Sequence, residues 1–211
     1  MIKAYFGVPG VGKTTILVKE AKKNKKKYKN IYTVNVEIKG CKRIRKEDIR
    51  KYQFEDCLIL WDEITLDYDN RNFKEFTQED KEFFMLHRHM GIDIIYATQN
   101  FENVDKKIRD LTMELWYMQK SVIPGLNEFT TAKRIYRNIN INENTSELTL
   151  GYRFCNFIES ICVSNFKIVF RRPLYKLFNS WDLLHIEKRE KYENRKNNIN
   201  SNNINININS I

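Results

Sequence analysis

The sequence predicts an α/β fold in which helices cover both faces of a mostly parallel sheet. Short apolar runs of strand length alternate with helical stretches over residues 2–111, and the first run leads through a glycine-rich loop into a helix. Buried strands that alternate with helices are typical of a parallel sheet. Beyond about Met113 the segments alternate without long helices, so we expect antiparallel strands to be added at one edge of the sheet.

Four strands and three helices are predicted in the first part of the chain. Apolar and β-branched runs predict the strands, and apolar positions at helical spacing predict the helices. The predicted strands are 2–6, 31–38, 57–61 and 92–97, and the predicted helices are 15–23, 78–90 and 104–111.

The C-terminal part is predicted to be rich in strands and to end in a helix. A hairpin is expected across residues 138–147, and the pattern of 174–188 predicts a closing helix. The predicted strands are 113–120, 132–137, 148–154 and 166–170.

One domain is expected over residues 1–188, with a core (1–122) and a β-rich extension that includes the closing helix (123–188). From residue 197 onward the chain contains only Asn, Ile and Ser. This low complexity predicts a disordered tail over 189–211, and the Ile/Asn alternation leaves an added edge strand as the alternative.

The composition favours an anionic partner and a reducing compartment. Lys and Arg number 37 against 27 Asp and Glu, a formal net charge of +10, which favours nucleic acid or lipid headgroups as partners. The four cysteines contain no C-x-x-C pair, so we expect neither a zinc site nor disulfides. No apolar run reaches the length of a membrane span, and the N-terminus lacks the apolar run of a signal peptide. The expected location is the cytoplasm.

The glycine-rich loop has the spacing of a phosphate-binding loop. Gly7 is followed after four residues by Gly12, Lys13 and Thr14, with a predicted strand before the loop and a predicted helix after it. Glycines let several backbone N–H groups face inward at a helix N-terminus and form an anion nest. Lys13 is expected to reach the β- and γ-phosphates, and Thr14 to coordinate Mg²⁺. The predicted nucleotide-binding residues are Gly7, Gly10, Val11, Gly12, Lys13, Thr14 and Thr15.

Two carboxylates at the end of the third strand complete the predicted site. Asp62 follows the apolar run 57–61 and is expected to hold Mg²⁺ through water, and Glu63 is expected to orient or deprotonate the attacking water. At the end of the fourth strand, the side chain of Gln99 is a candidate to sense the γ-phosphate or hold that water. The alternative for residues 98–100 is a helix-capping turn.

The paired acids and the number of strands indicate a subclass. The predicted strand 31–38 lies in sequence between strand 2–6, which leads into the loop, and strand 57–61, which ends at Asp62. This indicates that strands 2–6 and 57–61 are not neighbours in the sheet. Together with the Asp62–Glu63 pair, this points to the additional-strand, catalytic-glutamate class of P-loop ATPases. No guanine-reading Asn-Lys-x-Asp occurs. The residues therefore predict ATP and Mg²⁺ as cofactors.

An arginine from a neighbouring subunit often stabilises the charge of the transferred phosphate. Arg88 is the first candidate for this catalytic role and Arg109 the second, and a solvated surface cation is the alternative for each. This role implies a homo-oligomer.

These residues resemble the zonular occludens toxin-like (Zot) domain, whose members include assembly ATPases of filamentous phages. Residues 7–15 and 58–63 carry the general part of the resemblance. The specific part is the Arg-His-x-Gly-x-Asp block that leads to Thr-Gln within 86–99, followed by 104–111, with a looser likeness over 174–180. The resemblance extends over most of residues 1–180.

The resemblance implies an ATP-driven motor that extrudes or packages single-stranded phage DNA during virion assembly. Similar proteins usually carry a transmembrane helix after this domain, which is not found here. The resemblance therefore implies a peripheral ATPase on the cytoplasmic face that docks on a separate membrane subunit of the host or phage.

Two alternatives of function and three interpretations of the basic clusters stay open. The chain is alternatively a non-hydrolysing assembly scaffold that uses nucleotide to set its conformation, or a packaging ATPase for double-stranded DNA. Residues 19–29 contain seven lysines, and a second basic cluster follows at 39–51. These clusters fit a DNA backbone, a lipid surface or a solvated helix end.

Overall fold

The computed structural model describes residues 1–51, 53–121, 125–141, 148–156, 159 and 165–179. Residues Met1–Phe178 form one compact unit, to which the following description refers. The strands are β1 (Ile2–Phe6), β2 (Asn30–Val34), β3 (Glu37–Ile38), β4 (Lys42–Arg43), β5 (Cys57–Trp61), β6 (Asp93–Thr98), β7 (Glu114–Lys120), β8 (Phe129–Ile141), β9 (Leu148–Phe154), β10 (Phe166–Phe170) and β11 (Phe178–Asn179). The helices are α1 (Lys13–Asn24), α2 (Lys46–Lys51), α3 (Gln78–Leu86) and α4 (Lys106–Leu111), with 3₁₀ turns at Ile64–Leu66, Asn70–Glu75, Phe101–Asn103 and Arg172–Leu177.

The central sheet is mostly parallel, and the predicted α/β class is confirmed. Within the described residues it contains nine strands in the order β10-β8-β7-β1-β6-β5-β2-β4, with β9 also paired to β8. The strands from β7 to β4 along this order run parallel to one another. The short strands β11 and β3 form a separate pair.

The two strands that lead into the predicted site are separated by a third. Strand β6 pairs with β1 through Phe6 and Thr98 and pairs with β5 on its other side. The predicted separation is therefore observed, and the strand that produces it is β6. Strand β2, the one that intervenes in sequence, lies on the far side of β5.

Antiparallel strands extend the sheet at one edge, as predicted. β8 is antiparallel to β7, to β9 and to β10. β10 therefore runs in the same direction as β1, and its carboxyl end lies at the same edge of the sheet as the glycine-rich loop. The register of β8 with β9 joins Ile141 to Leu148, in agreement with a hairpin, whose connecting residues 142–147 lie outside the described residues.

Two apolar layers cover the parallel part of the sheet. α1 packs on one face through Ile16, Leu17 and Ala21. The other face is covered by α2, α3 and α4, whose buried side chains include Phe84 of α3 and Ile108 of α4. All five residues of β5 are buried, as expected for a parallel strand with helices on both sides.

The predicted strand 31–38 is wrong beyond Val34. Asn35 has φ 59°, a left-handed conformation that ends the strand. Its side-chain amide donates to Asp67 Oδ2 at 2.6 Å, and this contact stabilises the turn. The chain then re-enters extended structure in β3.

Each of the three predicted helices also differs from the structure at one or both ends. The helix predicted at 78–90 ends at Leu86, because Gly91 takes a left-handed φ of 67° and the N–H of Ile92 donates to the carbonyl of His87. The helix predicted from residue 104 begins at Lys106, where the Asp105 carboxylate caps it by accepting from the N–H of Lys107 at 2.8 Å. α1 is longer than predicted at both ends, and α2 was not predicted.

The prediction of a closing helix over 174–188 is wrong for residues 174–179, the part that the structure describes. Residues Arg172–Leu177 form a 3₁₀ turn that contains Pro173, and Phe178 is extended in β11. The rest of that helix, residues 180–188, and the tail at 189–211 lie outside the described residues. Within the part of the chain that the structure describes, no helix has the length and apolar character needed to span a bilayer.

Candidate phosphate-binding site

The glycine-rich loop lies at the carboxyl end of β1. The N–H of Gly7 donates to the carbonyl of Thr98 at 3.3 Å, which joins the start of the loop to the end of β6. Gly10 and Gly12 have φ values of 76° and 92°, a conformation that glycine adopts without strain. The loop then enters α1 at Lys13. Its residue types therefore produce a tight backbone turn in front of a helix N-terminus, the geometry of an anion nest.

Close neighbours leave no room for a larger side chain at two positions of this loop. A Cβ added at Gly7 would lie 2.5 Å from the carbonyl oxygen of Met118 on β7. At Gly12 it would lie 2.5 Å from Cδ of Arg171 and 2.7 Å from Oγ1 of Thr15. Two of the three loop glycines are thus required by close packing, and Gly12 by its φ as well.

Lys13 is folded back onto its own loop. The residue is 9% exposed, and its Nζ donates to the carbonyls of Gly7 at 2.9 Å and Val8 at 3.4 Å. Burial lowers the pKa of Lys13, and the negative charges of Glu63 and Asp62 oppose this effect. The ammonium therefore lies at the loop with both acids close enough to act on it.

Asp62 and Thr14 are in direct contact across the end of β6. The Thr14 hydroxyl donates to Oδ2 of Asp62 at 2.6 Å, and the N–H of Asp62 donates to the carbonyl of Val34. Burial raises the pKa of Asp62 to about 6, although the Thr14 hydroxyl and the charge of Lys13 lower it. The structure thus brings together the two residues that the sequence predicts as magnesium ligands.

Glu63 is held in a left-handed conformation with φ 46°, which is uncommon for a residue with a side chain and is found at functional sites. Its Oε1 accepts from the N–H of Gln99 at 3.1 Å and from the Thr65 hydroxyl at 2.9 Å. The carboxylate therefore lies over the end of β6, beside the loop.

Gln99 contacts this site through its backbone. Its side chain is part of an exposed residue, so the predicted contact of that amide with phosphate or water stays a prediction. The neighbouring Asn100 does form a capping turn, because its side chain accepts from the N–H of Glu102 at 3.0 Å.

The structure does not bring Arg88 to the site of its own chain. Arg88 is exposed in the turn before β6 and lines a cavity of about 630 Å³ with Asp93 and Tyr28. This cavity lies at the amino ends of the parallel strands, opposite the glycine-rich loop. Arg109 on α4 forms an ion pair with Glu102. A role for either arginine in the site of a neighbouring subunit stays a prediction.

Sequence reasoning missed two residues that hold the loop from outside. Nη1 of Arg171, which follows β10, donates to the carbonyl of Gly10 at 3.1 Å. The hydroxyl of Thr130 on β8 donates to the carbonyl of Val11 at 2.6 Å. No local motif marks either residue. The available signal is topological, since Arg171 follows a strand that runs in the direction of β1 and so ends at the edge where the loop lies.

Comparisons with known proteins give one family match. The sequence model of zonular occludens toxin (Zot) matches residues 19–154, more than half of the chain, beginning after the glycine-rich loop. A search of curated proteins finds no match.

Solved structures of similar fold share little sequence identity with this chain. The N-terminal domain of zonular occludens toxin from Neisseria meningitidis has a TM-score of 0.52 and 16% identity, over 84% of this chain and 98% of that one. The genome packaging NTPase B204 from Sulfolobus turreted icosahedral virus 2 has a TM-score of 0.45 and 10% identity, over 71% and 94% of the two chains. The flagellar accessory protein FlaH from Methanocaldococcus jannaschii has a TM-score of 0.43 and 10% identity, over 74% and 89%. The first of these likenesses extends over nearly all of the other domain and shows a shared fold.

Proposed function

Because the chain belongs to the zonular occludens toxin (Zot) family, we propose that it binds and hydrolyses ATP with Mg²⁺ at the glycine-rich loop. The observation that carries the proposal is the contact of 2.6 Å between Thr14 and Asp62, which joins the loop to the acidic end of β5. Lys13 and Glu63 lie beside this contact. Each of the four has the chemistry that phosphoryl transfer to water requires.

The donor set fits a magnesium ion. Mg²⁺ prefers hard oxygen ligands and is usually held by one or two carboxylates together with substrate phosphates and waters. The Thr14 hydroxyl and the Asp62 carboxylate supply such oxygens, and no group of three or more His, Cys, Asp or Glu residues suited to a metal occurs among the described residues. A bound Mg²⁺ would neutralise developing charge on the phosphates.

The residues of the chain have distinct parts in the proposed reaction. The backbone N–H groups of the loop bind the phosphates, and Lys13 exchanges the carbonyls of Gly7 and Val8 for phosphate oxygens. Glu63, fixed by Gln99 N–H and Thr65, orients a water or accepts its proton. Thr14 and Asp62 hold the cation.

We further propose that the ATPase acts in the assembly of a filamentous phage, on single-stranded DNA or its nucleoprotein. Family membership supports a phage-related role, and the net charge of +10 fits an anionic partner. We propose that the chain forms a homo-oligomer and acts peripherally at the cytoplasmic face of the membrane, beside a membrane subunit. A scaffold without hydrolysis and a packaging ATPase for double-stranded DNA are the competing functions.

Turnover by the purified protein tests the enzymatic proposal. We expect Mg²⁺-dependent ATP hydrolysis by the wild type and at least about a hundredfold lower kcat for Glu63→Gln, with nucleotide affinity retained, because the substitution removes the base and keeps the shape. Exposed Glu47→Gln on α2 is the matched control and should hydrolyse ATP like the wild type.

The competing functions give other results. A Glu63→Gln protein as active as the wild type would refute the role of Glu63. Tight ATP binding without turnover, with single-stranded DNA present, would favour the scaffold. Preference for double-stranded over single-stranded DNA in a binding assay would favour the packaging function.

A further inference from the structure

Arg171 is a buried cation on the outer side of the glycine-rich loop. The residue is 8% exposed. Its guanidinium donates to the carbonyl of Gly10 at 3.1 Å and to the carbonyl of Asn127. Its own N–H donates to the carbonyl of Glu128 at 2.9 Å. Five contacts are possible for a guanidinium, and the contacts that it makes here are to neutral backbone oxygens.

The charge of Arg171 has no acidic partner in the described part of the chain. The ion pairs found there do not include Arg171, and its buried Nε has no hydrogen-bond partner. Burial of a charge is costly unless it is paired. An arrangement of this kind calls for a negative charge nearby when the protein is in its functional state.

The position of Arg171 indicates where that charge comes from. In an anion nest the backbone N–H groups face inward and the carbonyls therefore face outward. Arg171 and Thr130 donate to the outward carbonyls of Gly10 and Val11, and Cδ of Arg171 lies only 2.5 Å from the position that a Cβ of Gly12 would take. The guanidinium is thus separated from the phosphate position by only the thickness of the loop backbone.

We propose that Arg171 is a positioning residue that fixes the outer carbonyls of the loop and whose unneutralised charge makes the loop select triphosphate over monophosphate. This inference rests on the proposed nucleotide site. A fixed positive charge attracts each added phosphate charge, so removal of the charge weakens ATP binding more than AMP binding. A contact that served only stability would weaken the binding of both nucleotides alike.

Nucleotide titrations of Arg171→Gln test this inference, with Kd measured for ATP and for AMP on the same preparation. We expect the ratio of the Kd for AMP to the Kd for ATP to fall about tenfold or more relative to the wild type. Arg172→Gln is the matched control, because this neighbouring arginine is exposed, and its ratio should stay within about twofold of the wild type. An unchanged ratio in Arg171→Gln would overturn the inference.

Arg171→Lys provides a second readout that does not require the glutamine variant to fold. A lysine side chain keeps the charge but titrates, whereas arginine stays charged. We expect the preference of Arg171→Lys for ATP to fall as the pH rises from 7 to 10, and to fall more steeply than in the wild type. Other ionisable groups lie near the loop and Arg171, and the pH profile of the wild type serves as the control for their effect. These groups are Lys13, Lys120, Glu128 and Tyr175.

The outcomes separate the two proposals. If the wild type binds no ATP, the proposed function and this inference both fail. If the wild type selects ATP and Arg171→Lys follows the same pH profile as the wild type, only the inference fails.

Discussion

Single residues of the loop are constrained by backbone packing as much as by chemistry. A side chain at Gly7 would meet the carbonyl oxygen of Met118 at 2.5 Å, and a backbone atom of a central strand cannot move aside as a flexible side chain can. In contrast, Val8 is 62% exposed. Adjacent positions of one motif therefore differ greatly in what they tolerate.

Substitution of Gly7 by alanine should lower both stability and nucleotide binding. We expect Gly7→Ala to destabilise the protein by about 1–3 kcal/mol, because overpacking against β7 displaces either the loop or the strand. Thermal unfolding and ATP titration measure the two effects. Val8→Ala in the same loop is the control and should leave the unfolding midpoint unchanged. A Gly7→Ala protein with wild-type stability and affinity would contradict the packing described here.

At the scale of elements, α3 is anchored by one buried acid. The Asp80 side chain is fully buried and accepts from Arg50 of α2, from the Tyr68 hydroxyl at 2.8 Å and from the N–H of Thr77 at 3.0 Å. Thr77 and Asp80 also form a capping box at the start of α3. Burial alone would raise the pKa of Asp80, but these hydrogen bonds outweigh burial and lower it.

Asp80→Asn should therefore destabilise the protein in a pH-dependent manner. We expect a loss of about 2–4 kcal/mol at neutral pH, because the substitution leaves Arg50 without its partner. A lowered pKa means that the stabilising contribution is present above the unfolded pKa of about 4 and is lost as the pH falls through the folded value. The difference in unfolding free energy between wild type and variant should therefore shrink in acid.

Urea unfolding at several pH values measures this difference. The control is Glu82→Gln, at an exposed position of the same helix, which should unfold like the wild type at neutral pH. A difference between wild type and Asp80→Asn that is the same at pH 3 and pH 7 would contradict an ionised Asp80.

At the scale of the whole molecule, the position of Arg88 bears on assembly. Arg88 lies at the edge of the sheet opposite the loop, so it can reach phosphate only in another subunit. If Arg88 has the predicted role, Glu63→Gln and Arg88→Ala are each inactive alone, and mixing the two variants tests that role directly. We expect Glu63→Gln, which has no base, and Arg88→Ala, which has a complete site of its own, to regain ATPase activity when mixed.

The expected gain is at least several-fold over the sum of the separate activities, because a mixed oligomer pairs an intact site with an intact arginine. Arg109→Ala, at the second candidate, is tested in the same assay. An Arg88→Ala protein with wild-type turnover would exclude the arginine role for Arg88.

The sequence predicts well those features that depend on neighbouring residues. The continuous apolar run of β5 and the loop from Gly7 to Thr14 are local patterns, and the class of fold and the meeting of Thr14 with Asp62 could be expected from them. Helix ends set by a capping side chain, as at Asp105, and the strand end at Asn35 depend on single turns that periodicity does not reveal.

Contacts between distant parts of the chain are not predictable in this way. Arg171 meets Gly10, and Lys167 donates to Glu20 of α1 at 2.7 Å. Neither pair is marked by spacing, because each depends on β10 running beside β8 with a particular register. The place of β6 between β1 and β5 is likewise a pairing of distant strands, and the sequence pattern offered the strand at 31–38 instead.

The hydrogen bond from Arg171 to the carbonyl of Gly10 has a consequence for folding during synthesis. The loop residues leave the ribosome before the arginine that holds them, which follows Gly10 by 161 positions. During synthesis the nascent chain therefore carries a complete nucleotide motif without its outer support. The support that Arg171 gives to the loop therefore forms only when the antiparallel strands have been translated and have joined the sheet, when the domain is nearly finished.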